Sequence, residues 1–283
     1  MTQQFFSILL ALTTILMWGS LATLGNLLIH LPPFYILGIC FILGSLPSWF
    51  RPKKMFPNLR IFAFGVAGMF GYHFFLFSSF RYAPAIEANL INYLWPVIMV
   101  ILTPAFFREE KLKFYHLLGG ILAILGSVVL VLGEGGTLKS EFIPGYLLAL
   151  GAAILWPIYS IGKKKLPPTS VWSVGGFCLG TGILCFMAHF WLEPRVVLQG
   201  HDVWKLIVIG IGPCGLAFYT WDRALLIGDS RIIGALSYLT PVISTLGLIF
   251  FGGQSLEDHI LIAMLLIISG ASSGILDIVF TKR

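Results

Sequence analysis

Tyr93-Leu94-Trp95-Pro96-Val97-Ile98 and Tyr238-Leu239-Thr240-Pro241-Val242-Ile243 are one hexapeptide written twice with a single change, and each copy lies midway along an apolar run of membrane-spanning length. A shift of about 145 residues that superimposes them also sets Phe106-Phe107 on Phe250-Phe251 and Gly126 on Gly270, once one deletion is allowed. Nearer the start of each copy, Ile15-Leu16-Met17-Trp18 resembles Ile154-Leu155-Trp156. Each of these is followed by a proline pair, Pro32-Pro33 and Pro167-Pro168, that opens the next helix. Ordered matches at compatible offsets imply a duplicated unit. Each unit holds five apolar runs, and an odd number of spans turns the second unit upside down. Inverted repeats of this kind build a substrate path between their halves in secondary transporters.

Hydrophobic residues make up 58% of the 283 positions and charged residues 11%, too little polar side chain to coat a water-soluble globule. A bilayer-spanning helix needs roughly 20 predominantly apolar residues, and Pro, Gly and basic clusters divide the chain into spans near 5–29, 32–50, 59–81, 85–106, 112–132, 142–162, 170–192, 203–227, 229–251 and 257–280. The fold class expected is an all-α integral membrane protein, with ten transmembrane helices arranged as two inverted five-helix repeats over 1–135 and 142–281 in one membrane domain. The first apolar run has no basic segment before it and is too long for a signal-peptide core, so it reads as a retained helix.

The +6 net charge is not a nucleic-acid signature, because in a membrane protein basic residues sort by side. One side carries fourteen: Arg51, Lys53, Lys54, Arg60, Arg108, Lys111, Lys113, Lys163, Lys164, Lys165, Arg223, Arg231, Lys282 and Arg283. The other carries four: Arg81, Lys139, Arg195 and Lys205. That bias puts both termini in the cytoplasm of a multi-pass cell-membrane protein whose partners are the lipid bilayer and a small molecule, not nucleic acid.

Trp49, Trp172, Trp191 and Trp204 fall at helix ends, where an indole sits well at the water interface. Trp18, Trp95 and Trp156 fall mid-span, where hydrocarbon cannot satisfy their N–H. They should face protein or a wet cavity and can stack a flat or cationic ligand. At helical spacing Ala88, Asn89, Asn92, Trp95, Pro96 and Met99 share one face. Pro96 and Pro241 each remove a helical hydrogen bond, freeing the carbonyls of Asn92 and Ser237 beside Tyr238. Trp156-Pro157 and Trp18-Gly19 are comparable weak points. Tyr72 is a pocket candidate and Tyr219 a closing ring from the second half. His73, with a side chain whose usual range lies near neutrality, is a candidate proton carrier, though a hydrogen-bonded packing role explains it better. Asp222 and Arg223, costly charges within a span, should pair or face water as a gate or an anchor. Glu87 reads as solvated.

Several chemistries are excluded. Gly210-Ile211-Gly212-Pro213-Cys214-Gly215 matches a dinucleotide-binding pattern, but inside an apolar span it reads as close helix packing. There is no G-x-x-x-x-G-K-[ST] for ATP and no H-E-x-x-H for zinc. Cys40, Cys178, Cys185 and Cys214 lie inside apolar runs without metal or disulfide spacing. No cofactor or metal is expected. An intramembrane enzyme would need converging nucleophile and base or paired carboxylates, and Asp222 with Asp229 lacks that pattern.

The W-G of the first helix, Ala83-Pro84-Ala85, NYLWPV from Asn92, and the REEKL run from Arg108 to Leu112 resemble the EamA-type drug/metabolite transporter superfamily, and Leu90 to Pro96 resembles its bacterial aromatic amino acid exporter (YddG-like) branch. The resemblance implies a central cavity lined by helices 1, 3, 4, 6, 8 and 9, alternating access by rocking helix pairs, and Tyr72, Trp95 and Trp156 as pocket rings. It implies export of a small amphipathic metabolite, such as an aromatic amino acid. Uptake or exchange of another metabolite, such as S-adenosylmethionine or a nucleotide derivative, is the alternative. Leu76 stands where the resemblance implies a further polar aromatic. Helix 1 also lacks the buried Glu of the four-helix multidrug exporters of the same superfamily.

Overall fold

The computed structural model describes residues 3–133, 135, 139–167, 169–252 and 257–280. Every regular element among them is a helix. The first half runs α1 (Gln3–Gly19), α2 (Leu21–Asn26), α3 (Pro33–Trp49), the single turn α4 (Pro52–Met55), α5 (Leu59–Ser79), α6 (Ala85–Asn92), α7 (Trp95–Phe106) and α8 (Phe114–Gly133). The second runs α9 (Ile143–Lys165), α10 (Ser173–Leu192), α11 (Val203–Ile211), a π-helical turn Gly212–Leu216, α12 (Ala217–Ile227), α13 (Ser230–Leu236), α14 (Leu239–Gly252) and α15 (Asp258–Phe280). Seven stretches are long and apolar enough to cross a bilayer, and three shorter apolar helices, Pro33–Trp49, Phe114–Val129 and Asp258–Ser273, accompany them. These rods fall within a few residues of the ten sequence spans. Pro168, Lys282, Arg283 and the outer repeat limits Met1 and Thr281 lie outside the described residues.

The outside of the bundle is apolar, as lipid contact requires: Phe50, Trp191 and Phe251 are 86%, 84% and 84% exposed. The four cysteines are buried and unpaired. Glu87 is not solvated as the sequence suggested. It is buried and accepts a hydrogen bond from Tyr146 Oη at 2.8 Å, because α6 docks on the start of α9.

Exchange of the two halves reproduces the main helix contacts. α5 lies on α9 as α12 lies on α1, and α7 lies on α9 as α14 lies on α1. α5 meets α10 as α11 and the π-turn meet α3. Two pairs, α3 with α10 and α8 with α15, map onto themselves, and α8 and α15 cross at reciprocal glycines. A Cβ on Gly119 would stand 2.6 Å from the carbonyl oxygen of Gly270, and one on Gly270 would stand 2.6 Å from that of Gly119. Without a hydrophobic driving force between helices in lipid, such backbone approach is what holds a pair together.

Helices break where the duplicated hexapeptides begin. α6 ends at Asn92 and α7 restarts at Trp95 with Pro96 in its first turn, while α13 ends at Leu236 and α14 restarts at Leu239 with Pro241 close behind. Proline is tolerated there because the missing N–H would have no intrahelical partner. α1 stops at Gly19, as the Trp18-Gly19 weak point implied. Pro157 does not behave this way: α9 continues unbroken through it. Gly210 and Gly215 do pack closely on α3, a Cβ on Gly215 falling 2.9 Å from Gly44 Cα.

Gly270→Ala should lower stability by about 1–3 kcal/mol through overpacking at the crossing. Gly25→Ala, where nothing lies within 4 Å, should not destabilise the protein. Thermal unfolding of both variants in detergent checks the contrast; equal melting temperatures would remove the crossing as the basis of α8–α15 association.

Candidate functional site

Six rings from five helices meet at the centre of the bundle. Trp18 comes from α1, Tyr72 from α5, Trp95 from α7, Trp156 from α9, and Phe218 and Trp221 from α12. Trp18 stands edge-on to Trp156 at 5.4 Å between centroids and 5.1 Å from Trp221. Trp156 stacks on Trp221 at 6.1 Å and contacts Tyr72 at 5.1 Å, and Trp95 meets Trp221 at 5.8 Å. These are direct ring contacts. A flat ligand enters only if the rings part.

The polar tips of this cage are unevenly satisfied. Trp18 Nε1 donates to the carbonyl of Pro213 at 3.2 Å, which the π-turn presents, and Trp221 Nε1 donates to Ser160 Oγ at 3.1 Å. Among the described residues no acceptor is found for the indole N–H of Trp95 or Trp156. Asn92 Nδ2 donates to Tyr72 Oη at 3.3 Å, but Asn92 Oδ1 is buried without a partner. The unmet Asn92 oxygen costs about 1–3 kcal/mol.

Other expected residues stand elsewhere. On the helix-4 face Ala88, Asn92, Trp95, Pro96 and Met99 are buried, while Asn89 is half-exposed and outside the cage. Tyr219 does not close the pocket: its hydroxyl pairs with Ser48 Oγ at 2.7 Å and lies 3.3 Å from the Gly44 carbonyl, tying α12 to α3. Tyr238 joins a separate cluster with Ala123, Val242 and Ile267. His73 lies against Phe41 and Tyr72 with Nδ1 2.7 Å from the Met69 carbonyl, a packed position on its own helix. Asp222 pairs with Lys163 at 3.3 Å, not with Arg223, which is exposed. Trp221 and Phe218 escaped the sequence reading. Trp221 lies six residues from a helix end and looks interfacial, so its only signal was Phe218 one turn earlier.

Polar joints bridge the halves at both ends of the bundle. At the basic end Lys164 of α9 reaches Glu110 Oε1 at 2.7 Å, the Gly228 carbonyl at 3.0 Å and Ser230 Oγ at 3.1 Å. Arg231 there holds Asp229 at 2.6 Å and the carbonyl of Lys111. Burial pushes the Glu110 carboxyl up despite the bond from Lys164. Burial also opposes charge on Asp229, but Arg231 outweighs it and holds that carboxyl below the usual range. At the other end Glu193 accepts from the N–H groups of Phe34 and Tyr35 at 2.9 and 3.2 Å, fixing the start of α3. Nearby, His30, His201 and Asp202 bring three metal-ligating atoms within 4.8 Å of one another, though Lys205 already occupies Asp202 Oδ1 at 3.1 Å.

A lipid-coated helical bundle with duplicated halves and an aromatic chamber between them is the architecture of a membrane carrier. Residues 5–132 and 143–273 each match the EamA-like transporter family, and the chain belongs to it. It is a multi-pass protein of the inner membrane. It is 36% identical over 93% of its length to the aromatic amino acid exporter YddG of Ancylobacter novellus, 95% of which is covered. It is 27% identical to a probable amino-acid metabolite efflux pump of Salmonella typhimurium over 92% of each chain. A crystal structure 34% identical in sequence matches 96% of this chain and 97% of its own with a TM-score of 0.91.

Lys164→Met strands the Glu110 carboxylate and the Gly228 carbonyl, and should cost about 1–3 kcal/mol for a pair only partly buried. Adding Glu110→Gln should recover part of that loss. Thermal melts of Lys164→Met, Glu110→Gln and the double variant give the coupling; strictly additive effects would show that the contact carries no energy.

Proposed function

We propose that this chain is an alternating-access secondary transporter that exports a small amphipathic metabolite, with an aromatic amino acid the best-supported cargo. The observation that carries the reading is the cage itself: packed rings surround Asn92 Oδ1, which is buried without a partner, and the indole N–H groups of Trp95 and Trp156, for which no acceptor is found among the described residues. Two donors and an acceptor among aromatic faces suit a carboxylate, an ammonium group and a flat side chain. Trp18, Tyr72, Trp95 and Trp156 contact the side chain, and Asn92, with Asn89 once the cage opens, binds the polar head. The similarity to exporters of aromatic amino acids supports the same cargo class and an outward direction.

In this reading all ten apolar rods cross the membrane as two inverted five-helix repeats, and both termini are cytoplasmic. The halves part alternately at the Lys164 joint and at the Glu193 joint. Asp222, paired with Lys163, belongs to the cytoplasmic gate, and Pro96 and Pro241 mark the hinges beside Tyr238.

In proteoliposomes Trp95→Ala should slow phenylalanine counterflow at least about tenfold, because an indole contact and a charge-assisted hydrogen bond are lost together. Unchanged rate and affinity would remove the cage as the binding site. A fluorescent protein that folds only in the cytoplasm should fluoresce when fused to the C-terminus. A dark fusion made at normal levels would reverse the orientation.

A further inference from the structure

Lys163 and Asp222 bring opposite charges together near the end of the bundle that also carries Glu110, Lys164 and Arg231. The two side chains are only 10% and 11% exposed. Charges this deep in a membrane protein are expensive to keep, and both halves of the pair line a crevice with Ser160, Lys164 and Thr169. The crevice opens to solvent but is narrow, with room for about one water molecule between its walls. An amino acid's polar head therefore enters it only as Lys163 and Asp222 part.

The wall it shares with the cage is a single residue thick. Ser160 lines the crevice and accepts the N–H of Trp221, whose ring stacks on Trp156. On α9, Trp156, Ser160 and Lys163 follow at helical spacing along one face, and Asp222 directly follows Trp221 on α12. The ring cage and the ion pair are therefore neighbours, separated by Ser160 and Trp221.

We propose that Lys163 and Asp222 form a loading subsite for the zwitterionic head of an α-amino acid, ammonium on Asp222 and carboxylate on Lys163, before the side chain enters the cage. This rests on the reading of the protein as an amino acid carrier and extends it to a second position on the path. An α-amino acid head carries both charges within one small group, so it replaces each residue's partner as it arrives. With no substrate bound, the pair satisfies itself. Lys163 keeps its bond to Thr169 Oγ1 at 2.9 Å in either state, which holds the ammonium in place while its acidic partner is exchanged.

The test measures equilibrium binding to the purified full chain in nanodiscs by its tryptophan fluorescence, with three probes: L-phenylalanine, phenethylamine, which lacks the carboxylate, and 3-phenylpropionate, which lacks the ammonium. The wild type should prefer phenylalanine to each analogue by about tenfold or more. Asp222→Asn should lose the preference over 3-phenylpropionate alone, and Lys163→Met the preference over phenethylamine alone. Lys163→Met combined with Asp222→Asn strands no charge, so it folds even if a single variant does not, and it should lose both preferences. Preferences that survive in these variants, or equal weakening of all three probes, would make the pair an anchor between α9 and α12 and overturn the subsite while leaving the cage as the carrier site. A wild type that binds none of the three probes would instead sink the aromatic-cargo reading, and the subsite with it.

Discussion

No water in the bilayer core can satisfy a bare peptide group, so a chain in lipid may interrupt its helices only where protein or a polar chamber takes over the freed groups. The interruptions here obey that constraint and thereby locate the chamber. The π-turn at Gly212–Leu216 presents the Pro213 carbonyl, and Trp18 from the first half takes it. The turn at Tyr93-Leu94 sets Asn92 and Trp95 on either side of a break, one against Tyr72 and the other against Trp221. The irregular backbone and the aromatic cage are two views of one requirement.

Duplication explains the scaffold, and one residue explains why the chamber is not symmetric. Trp18 and Trp156 occupy matching places in the two copies and touch each other at 5.4 Å. Trp95 and Thr240 also occupy matching places, but only Trp95 reaches the rings. Thr240 lies with Tyr238, Ser237 and Pro241 around a second crevice that Tyr93, Trp95 and Pro96 line from the first half. The single difference between the two hexapeptides thus decides which copy supplies an indole to the centre.

Positions along the membrane normal were legible in the sequence, because an apolar run, a proline or a basic cluster records depth directly. Rotation about each helix axis was less so. Trp18, Trp95 and Trp156 were found because mid-span indoles have few tolerable directions. Tyr219 turns toward α3, where the Ser48 hydroxyl receives it, and Tyr238 turns toward the α8–α15 pair, where its ring packs but its hydroxyl is buried without a partner. Pro157 resembled Pro96, yet only the latter sits at a break. A lone proline within a well-packed helix loses one bond, and neighbouring protein compensates for it. Asp222 was recognised as needing a partner, but Arg223 points away from it by one helical step, and the true partner lay on another helix.

The cage is held together by terms of opposite sign. Each ring contact contributes roughly 0.5–1.5 kcal/mol beyond burial, and the buried, unpartnered amide oxygen of Asn92 takes back about 1–3 kcal/mol. A chamber lined with apolar residues alone would collapse and stay shut, while one with many unmet polar groups would fill with water and stay open. With one such oxygen and two indole N–H groups that find no acceptor among the described residues, this cage lies between those extremes. An alternating-access carrier must visit both arrangements, so a near balance at its centre is a condition of turnover.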